Sequence, residues 1–172
     1  MLKKREIKTG KIQSFLMWMF CALILVSYQA SFAIQGHLKV TSKAHKMVMV
    51  NKGGKRLHQF VPATLVLPGE TVQYNTFFQN IGNKPADNIN IVNPIPKHTV
   101  YLANSARGQN TNIVFSVDGG KNYGKAGTLR VRGRDGKIHV AKPSDYTHIR
   151  WQYHGRLAPR AQQAVTFRVR LL

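Results

Sequence analysis

Five acids lie beyond the first 33 residues: Glu70, Asp87, Asp118, Asp135 and Asp145. General acid–base chemistry needs two titratable groups held close to one reacting atom. These carboxylates are scattered singly, in turn stretches such as Pro68-Gly69-Glu70, Asp118-Gly119-Gly120 and Arg134-Asp135-Gly136, and their spacing pairs none of them. Ser is sparse, and there is no Gly-x-Ser-x-Gly elbow for a nucleophile. The histidines, His37, His45, His58, His98, His139, His148 and His154, form no i, i+2 pair and have no thiol to join them. That spacing predicts no zinc site, and the acids are too dispersed for a calcium site. The expectation is a chain with no catalytic, cofactor-binding or metal-binding residues, and no cofactor.

Positive charge is the chemistry that remains. The chain carries 26 Lys and Arg against 6 Asp and Glu, a formal charge of +20. Arg130, Arg132, Arg134, His148, Arg150, Arg168 and Arg170 fall on the polar phase of three alternating stretches. If the last two strands pair, Arg150, Arg168 and Arg170 share one wet sheet face. Arg130, Arg132, Arg150, Arg168 and Arg170 are therefore the candidate anion-binding residues. Their ligands would be lipopolysaccharide phosphates, acidic glycans or anionic lipid headgroups. The alternative is a solvated face in a generally basic proteome. Nucleic acid is disfavoured by the leader-like N-terminus described below, and because strand aromatics mostly fall on the inward phase, where they cannot stack on bases.

The export reading comes from the N-terminus. Lys3, Lys4, Arg5, Lys8 and Lys11 precede the apolar run Phe15–Tyr28, and Ser31 and Ala33 are small residues at the positions a signal peptidase reads. That order predicts a secretory leader, residues 1–33, cleaved after Ala33. The run is about 14 residues, short of the roughly 20 a spanning helix needs. An uncleaved anchor is the alternative. The remaining 34–172 would keep 21 basic and 5 acidic residues, net +16, and no cysteine, since Cys21 is in the leader. Such a domain has no disulfide and must be held by its core.

The elements that would position these residues are strands. Val72, Tyr74, Thr76 and Phe78 alternate with Gln73, Asn75, Phe77 and Gln79. Ile89 and Ile91, Ile113, Phe115 and Val117, and Leu129 and Val131 alternate in the same way. So do Ile149, Trp151 and Tyr153, and Val165, Phe167, Val169 and Leu171. A period of two marks strands with one buried face. Tyr74, Phe78, Ile91, Phe115, Trp151 and Phe167 are the expected core. Pro68-Gly69-Glu70 starts a strand after a bend, and Asn80–Asn83 offers residues that tolerate positive φ. Asn51–Lys55, Asp118–Gly120 and Arg134–Gly136 read as hairpin turns. Pro94 and Pro96 end a strand and send the chain to the other sheet. The stretch Ser116–Tyr123, SVDGGKNY, approaches the box of sialidase-type propellers, but a propeller needs several boxes and several hundred residues. A turn capped by Asp118 is the simpler account. The prediction from the strands is an all-β antiparallel sandwich of about 7–9 strands.

The stretch LPGETVQYNTFFQNIGNKPADNINIVNPIPKHTVY carries a resemblance. Pro68, Gly69, Glu70, Tyr74, Asn80, Gly82, Asn83, Pro85, Ala86, Pro94 and Pro96 resemble the conserved repeat domain of bacterial and archaeal surface proteins (domain of unknown function eleven). SVDGGKNYG and DYTHIRWQYHGRLAP resemble its Gram-negative, single-domain branch. The likeness spans about residues 61–172, with 34–60 adding N-terminal strands and a hairpin. That family has Asp where this chain has Asn93, and Pro-Gly where it has Pro159-Arg160; both read as turn positions. The resemblance implies an immunoglobulin-like sandwich on the envelope or outside the cell, and no reaction. The expected function is an exported, non-catalytic module with a structural or interaction role in the cell envelope, in the periplasm or at the surface. Its partner would be an envelope or surface protein. A binding protein for an anionic envelope polymer is the second reading, and an enzyme a distant third.

Overall fold

The computed structural model describes residues 37–172, which are almost wholly strand and turn. The expected leader, its cleavage at Ala33 and Cys21 lie outside the described residues. Eleven strands follow one another: β1 (Leu38–Lys52), β2 (Lys55–Pro62), β3 (Thr71–Asn80), β4 (Asn90–Pro94), β5 (Thr99–Tyr101), β6 (Arg107–Gly108), β7 (Thr111–Ser116), β8 (Arg130–Arg132), β9 (Ile138–Val140), β10 (His148–Tyr153) and β11 (Gln162–Leu171). A single 3-10 turn, Pro143–Asp145, is the only helical element among the described residues. The count exceeds the expected nine because β5, β6, β8 and β9 are only two or three residues long.

Every strand pair is antiparallel. A six-stranded sheet runs β2-β1-β3-β11-β5, with β6 also on β11; a three-stranded sheet runs β4-β10-β7; β8 and β9 form a separate hairpin. The inward phases of the two larger sheets meet in one core, containing Val72 and Phe78 of β3, Val165, Phe167 and Val169 of β11, Ile91, Ile149, Trp151 and Phe115. Trp151 of one sheet lies 6.0 Å, centroid to centroid, from Phe167 of the other. Alternation thus becomes a sandwich because each sheet buries its apolar phase against the other.

Five of the six expected core side chains are buried. Tyr74 is half-buried, stacked 5.1 Å from Phe167. The physical reason is width. Three strands cannot cover six, and β1 at the open side leaves Val40 51 % exposed on its inner phase.

The turns follow their residues. Glu70 N–H donates to Leu67 O at 3.0 Å, with Gly69 at φ +87°, a type II turn with Pro68 at its second position. Gly53 and Gly54, both at positive φ, close the β1–β2 hairpin as a type I′ turn. Arg134–Gly136 closes β8–β9 as expected. After Pro94 and Pro96 the chain passes from the three-stranded sheet at β4 to the six-stranded sheet at β5.

Two local expectations are corrected and a third holds. No residue of Asn80–Asn83 is left-handed; between β3 and β4 that conformation belongs to Asn88, at φ +51°. Asn80 is instead a staple, 1 % exposed. Its amide donates to Lys84 O at 2.7 Å and Leu157 O at 2.9 Å, and its Oδ1 accepts from Gly82 N–H at 2.9 Å. Asn93 is not a turn residue but lies in β4, its amide donating across the sandwich to Thr76 Oγ1 at 2.7 Å. Arg160 does occupy a turn, at φ +66°, a conformation that glycine adopts without strain.

Candidate anion-binding face

The five candidate arginines are divided among three surfaces. The expected pairing of the last two strands does not occur: β10 belongs to the three-stranded sheet and β11 to the six-stranded one. Trp151 and Phe167 point inward from those sheets, so their neighbours Arg150 and Arg168 point away from each other, to opposite outer faces. Arg150 is occupied there, its guanidinium 3.5 Å above the centroid of the Tyr123 ring. Arg130 and Arg132 sit on the β8–β9 hairpin. They donate to the carbonyls of Gly127 and Thr128, and of Gly136.

Arg168 and Arg170 remain together, and the register supplies them with different company. Directly paired residues of antiparallel strands share a side. Across β1, β3 and β11 the outward rows are Lys39–Gln79–Gln162, Thr41–Phe77–Ala164, Lys43–Asn75–Thr166 and His45–Gln73–Arg168. Thr71–Arg170 completes the face, and Arg107 joins it beside Thr166. None of these positions carries a carboxylate. Lys39, Lys43, Arg107 and Arg170 are exposed, and a shallow depression is lined by Lys39, Thr41, Lys43, Phe77, Gln79 and Gln162. Lys39 and Lys43 were missed in the sequence. The signal was present in their alternation with Leu38, Val40 and Ala44.

Spacing sets what this face can hold. Arg168 and Arg170 are about 7 Å apart along β11, and Lys43 stands two strands from Arg168, about 10–12 Å away. In water a like-charge pair at about 7 Å costs about 0.6 kcal/mol before salt screening. The face tolerates its cations at that spacing and offers several separated contacts rather than one chelating pocket. Side-chain amides and hydroxyls between them, with Asn75 Nδ2 3.0 Å from His45 Nδ1, supply neutral donors.

The carboxylates are engaged elsewhere. Glu70 accepts from Leu67 N–H at 2.8 Å and from Lys46 Nζ at 3.3 Å; the backbone bond first, and Lys46 after it, hold its carboxyl below the usual range. Asp118 accepts from the backbone of Asn122 and Lys121 and from Ser116 Oγ, which holds it far below the usual range. It caps its own turn, as expected of SVDGGKNY. Asp135 is lowered by His139 and the Lys137 N–H. Asp145 accepts from Lys142 N–H at 2.7 Å. No group of three His, Cys, Asp or Glu able to hold a metal occurs among the described residues, nor any helix long and apolar enough to cross a membrane. The chain matches no family model, no curated protein and no solved structure.

Proposed function

We propose that the protein is a non-catalytic interaction module of the cell envelope that docks a phosphate- or carboxylate-bearing polymer on the outer face of its six-stranded sheet. The observation that carries this is the set of outward rows from Lys39 to Arg170, basic and amide-rich and without a carboxylate. Four acids are already engaged with turns or cations, which supports a binding role over general acid–base chemistry. Envelope location rests on the leader-like N-terminus and on the resemblance to surface-protein repeat domains.

A cation near an anionic surface contributes about 1 kcal/mol. Replacing Lys43, Arg168 and Arg170 by Gln removes about 3 kcal/mol, on the order of 100-fold in affinity. The experiment is retention on immobilised heparin, a soluble-polyanion surrogate, over a salt gradient. The triple variant is expected to elute much earlier than the parent. An Arg130→Gln/Arg132→Gln variant, altered on the separate hairpin, is expected to elute within a small margin of it. Equal retention of parent and triple variant refutes this face.

A further inference from the structure

The long strand β1 leaves the sandwich halfway along. It pairs with β3 only from Leu38 to Lys46, and with β2 from His45 to Lys52. Residues 47–60 therefore form a two-stranded arm extending past the sheet. An isolated hairpin gains little stability by itself, so an apolar one calls for something to cover it. Met49, Leu57 and Phe60 of the arm are 58 %, 47 % and 42 % exposed, and Leu65 and Leu67 in the loop that follows are 67 % and 56 % exposed. Five of the eleven large exposed hydrophobics among the described residues thus fall between Met49 and Leu67, and the other six are scattered from Val40 to Leu172. Lys52, Lys55 and Arg56 stand at its tip, and the arm contains no acid.

The phase of β1 connects this arm to the basic face. Lys39, Lys43 and His45 belong to the odd phase, and the same phase runs on through Met47 and Met49, paired with Phe60 and His58. Basic rows on the sandwich thus continue into an apolar and basic surface on the arm. A glycan would engage the cations and leave Met47, Met49 and Phe60 in water. A second copy would bring like charges against Lys52, Lys55 and Arg56. Insertion tip-first into hydrocarbon would drag those cations in and leave both open strand edges without partners. An anionic bilayer surface suits the side of the arm that carries Met47, Met49, Arg56 and Phe60 when the arm lies in the interfacial layer, with Leu57, Lys52 and Lys55 on its other side. There, phosphates meet Lys and Arg, apolar side chains reach the acyl boundary, and water still serves the edges.

We propose that the arm is a membrane-interface anchor, working with the basic face to hold the protein on anionic lipid. This rests on the polyanion-docking reading and names its source as a lipid headgroup. The test uses residues 36–172, since Gly36–Leu172 is a compact unit with its own core. Sedimentation with vesicles of phosphatidylcholine, with and without 30 % phosphatidylglycerol, is compared with heparin retention. The parent is expected to bind the anionic vesicles only. Met49→Ser/Phe60→Ser, on exposed sites, is expected to keep heparin retention and lose vesicle binding by tenfold or more. Lys43→Gln/Arg168→Gln/Arg170→Gln is expected to lose both. Heparin retention by the parent without vesicle binding overturns the lipid anchor and leaves polyanion docking standing; absence of both removes the two together. An arm variant that binds vesicles like the parent, or a parent whose sedimentation velocity shows dimers that the arm variant lacks, overturns the anchor.

Discussion

Replacing Asn80 tests whether a buried amide holds the two loops at one end of the sandwich. Asn80→Ala deletes three side-chain hydrogen bonds, to Lys84 O, Leu157 O and Gly82 N–H. At about 1 kcal/mol each the loss is about 3 kcal/mol. Leu157 O keeps its bond from Ala86 N–H at 2.9 Å, so about 2–3 kcal/mol is the better figure. Asn80→Asp keeps the shape and the acceptor toward Gly82, but sets an oxygen against the carbonyls of Lys84 and Leu157. The carboxyl can fill that position only as the protonated acid, which raises its folded pKa above the unfolded value of about 3.9. A raised folded pKa gives stability that is present below the unfolded value and lost as pH rises through the folded one. Urea unfolding of residues 36–172, followed by the emission of Trp151, should show a constant deficit for Asn80→Ala between pH 4 and 8. For Asn80→Asp, measured against the parent at each pH, the deficit should widen. An Asn80→Ala variant within about 0.5 kcal/mol of the parent, or a flat deficit for Asn80→Asp, refutes the staple.

Trp151→Ala removes a fully buried indole from between the sheets, at a cost of about 3–5 kcal/mol; a urea midpoint close to the parent's would refute the core assignment. Arg160→Gly relieves a left-handed residue, worth about 1–2 kcal/mol, against about 0.4–1 kcal/mol of added unfolded-state freedom. Melting temperatures should rank Gly at or above Arg and both above Arg160→Val; a Val variant as stable as the parent sinks this reasoning. Asp118, held below its ordinary 3.8, contributes stability that is present above that value and lost as pH falls through the lower folded one. Thermal unfolding of the parent should therefore weaken more steeply below pH 4 than that of Asp118→Asn; parallel curves would refute it.

The strand phases could be read from residues because burial on one side imposes a period of two. Trp151, Phe167 and Phe78 are consequently where alternation puts them. Pairing could not be read that way. Nothing in the order of Ile149–Tyr153 and Val165–Leu171 says that consecutive strands enter opposite sheets, so sequence alone groups Arg150 with Arg168 and Arg170. Residue type marks Asn80 as a turn former, whereas its environment makes it a buried donor. The basic face needed register as well as phase, because Lys39 and Lys43 reach Arg168 only through β3.

The central pairing of β3 with β11 has a consequence for how the chain acquires this structure. Thr71 faces Arg170, about a hundred positions later, whereas β1 and β2 close across two glycines. Loop-closure entropy makes the first contact about 3–4 kcal/mol harder to form than the second. Local hairpins can appear within microseconds, while the sandwich belongs with slow, non-local β topologies. Until Gln162–Leu171 arrives, β3 shows an unpaired edge and a bare apolar face, the combination that drives strand association between chains. Refolding yield should accordingly fall as protein concentration rises, and removing β11 should give aggregates rather than a smaller sandwich.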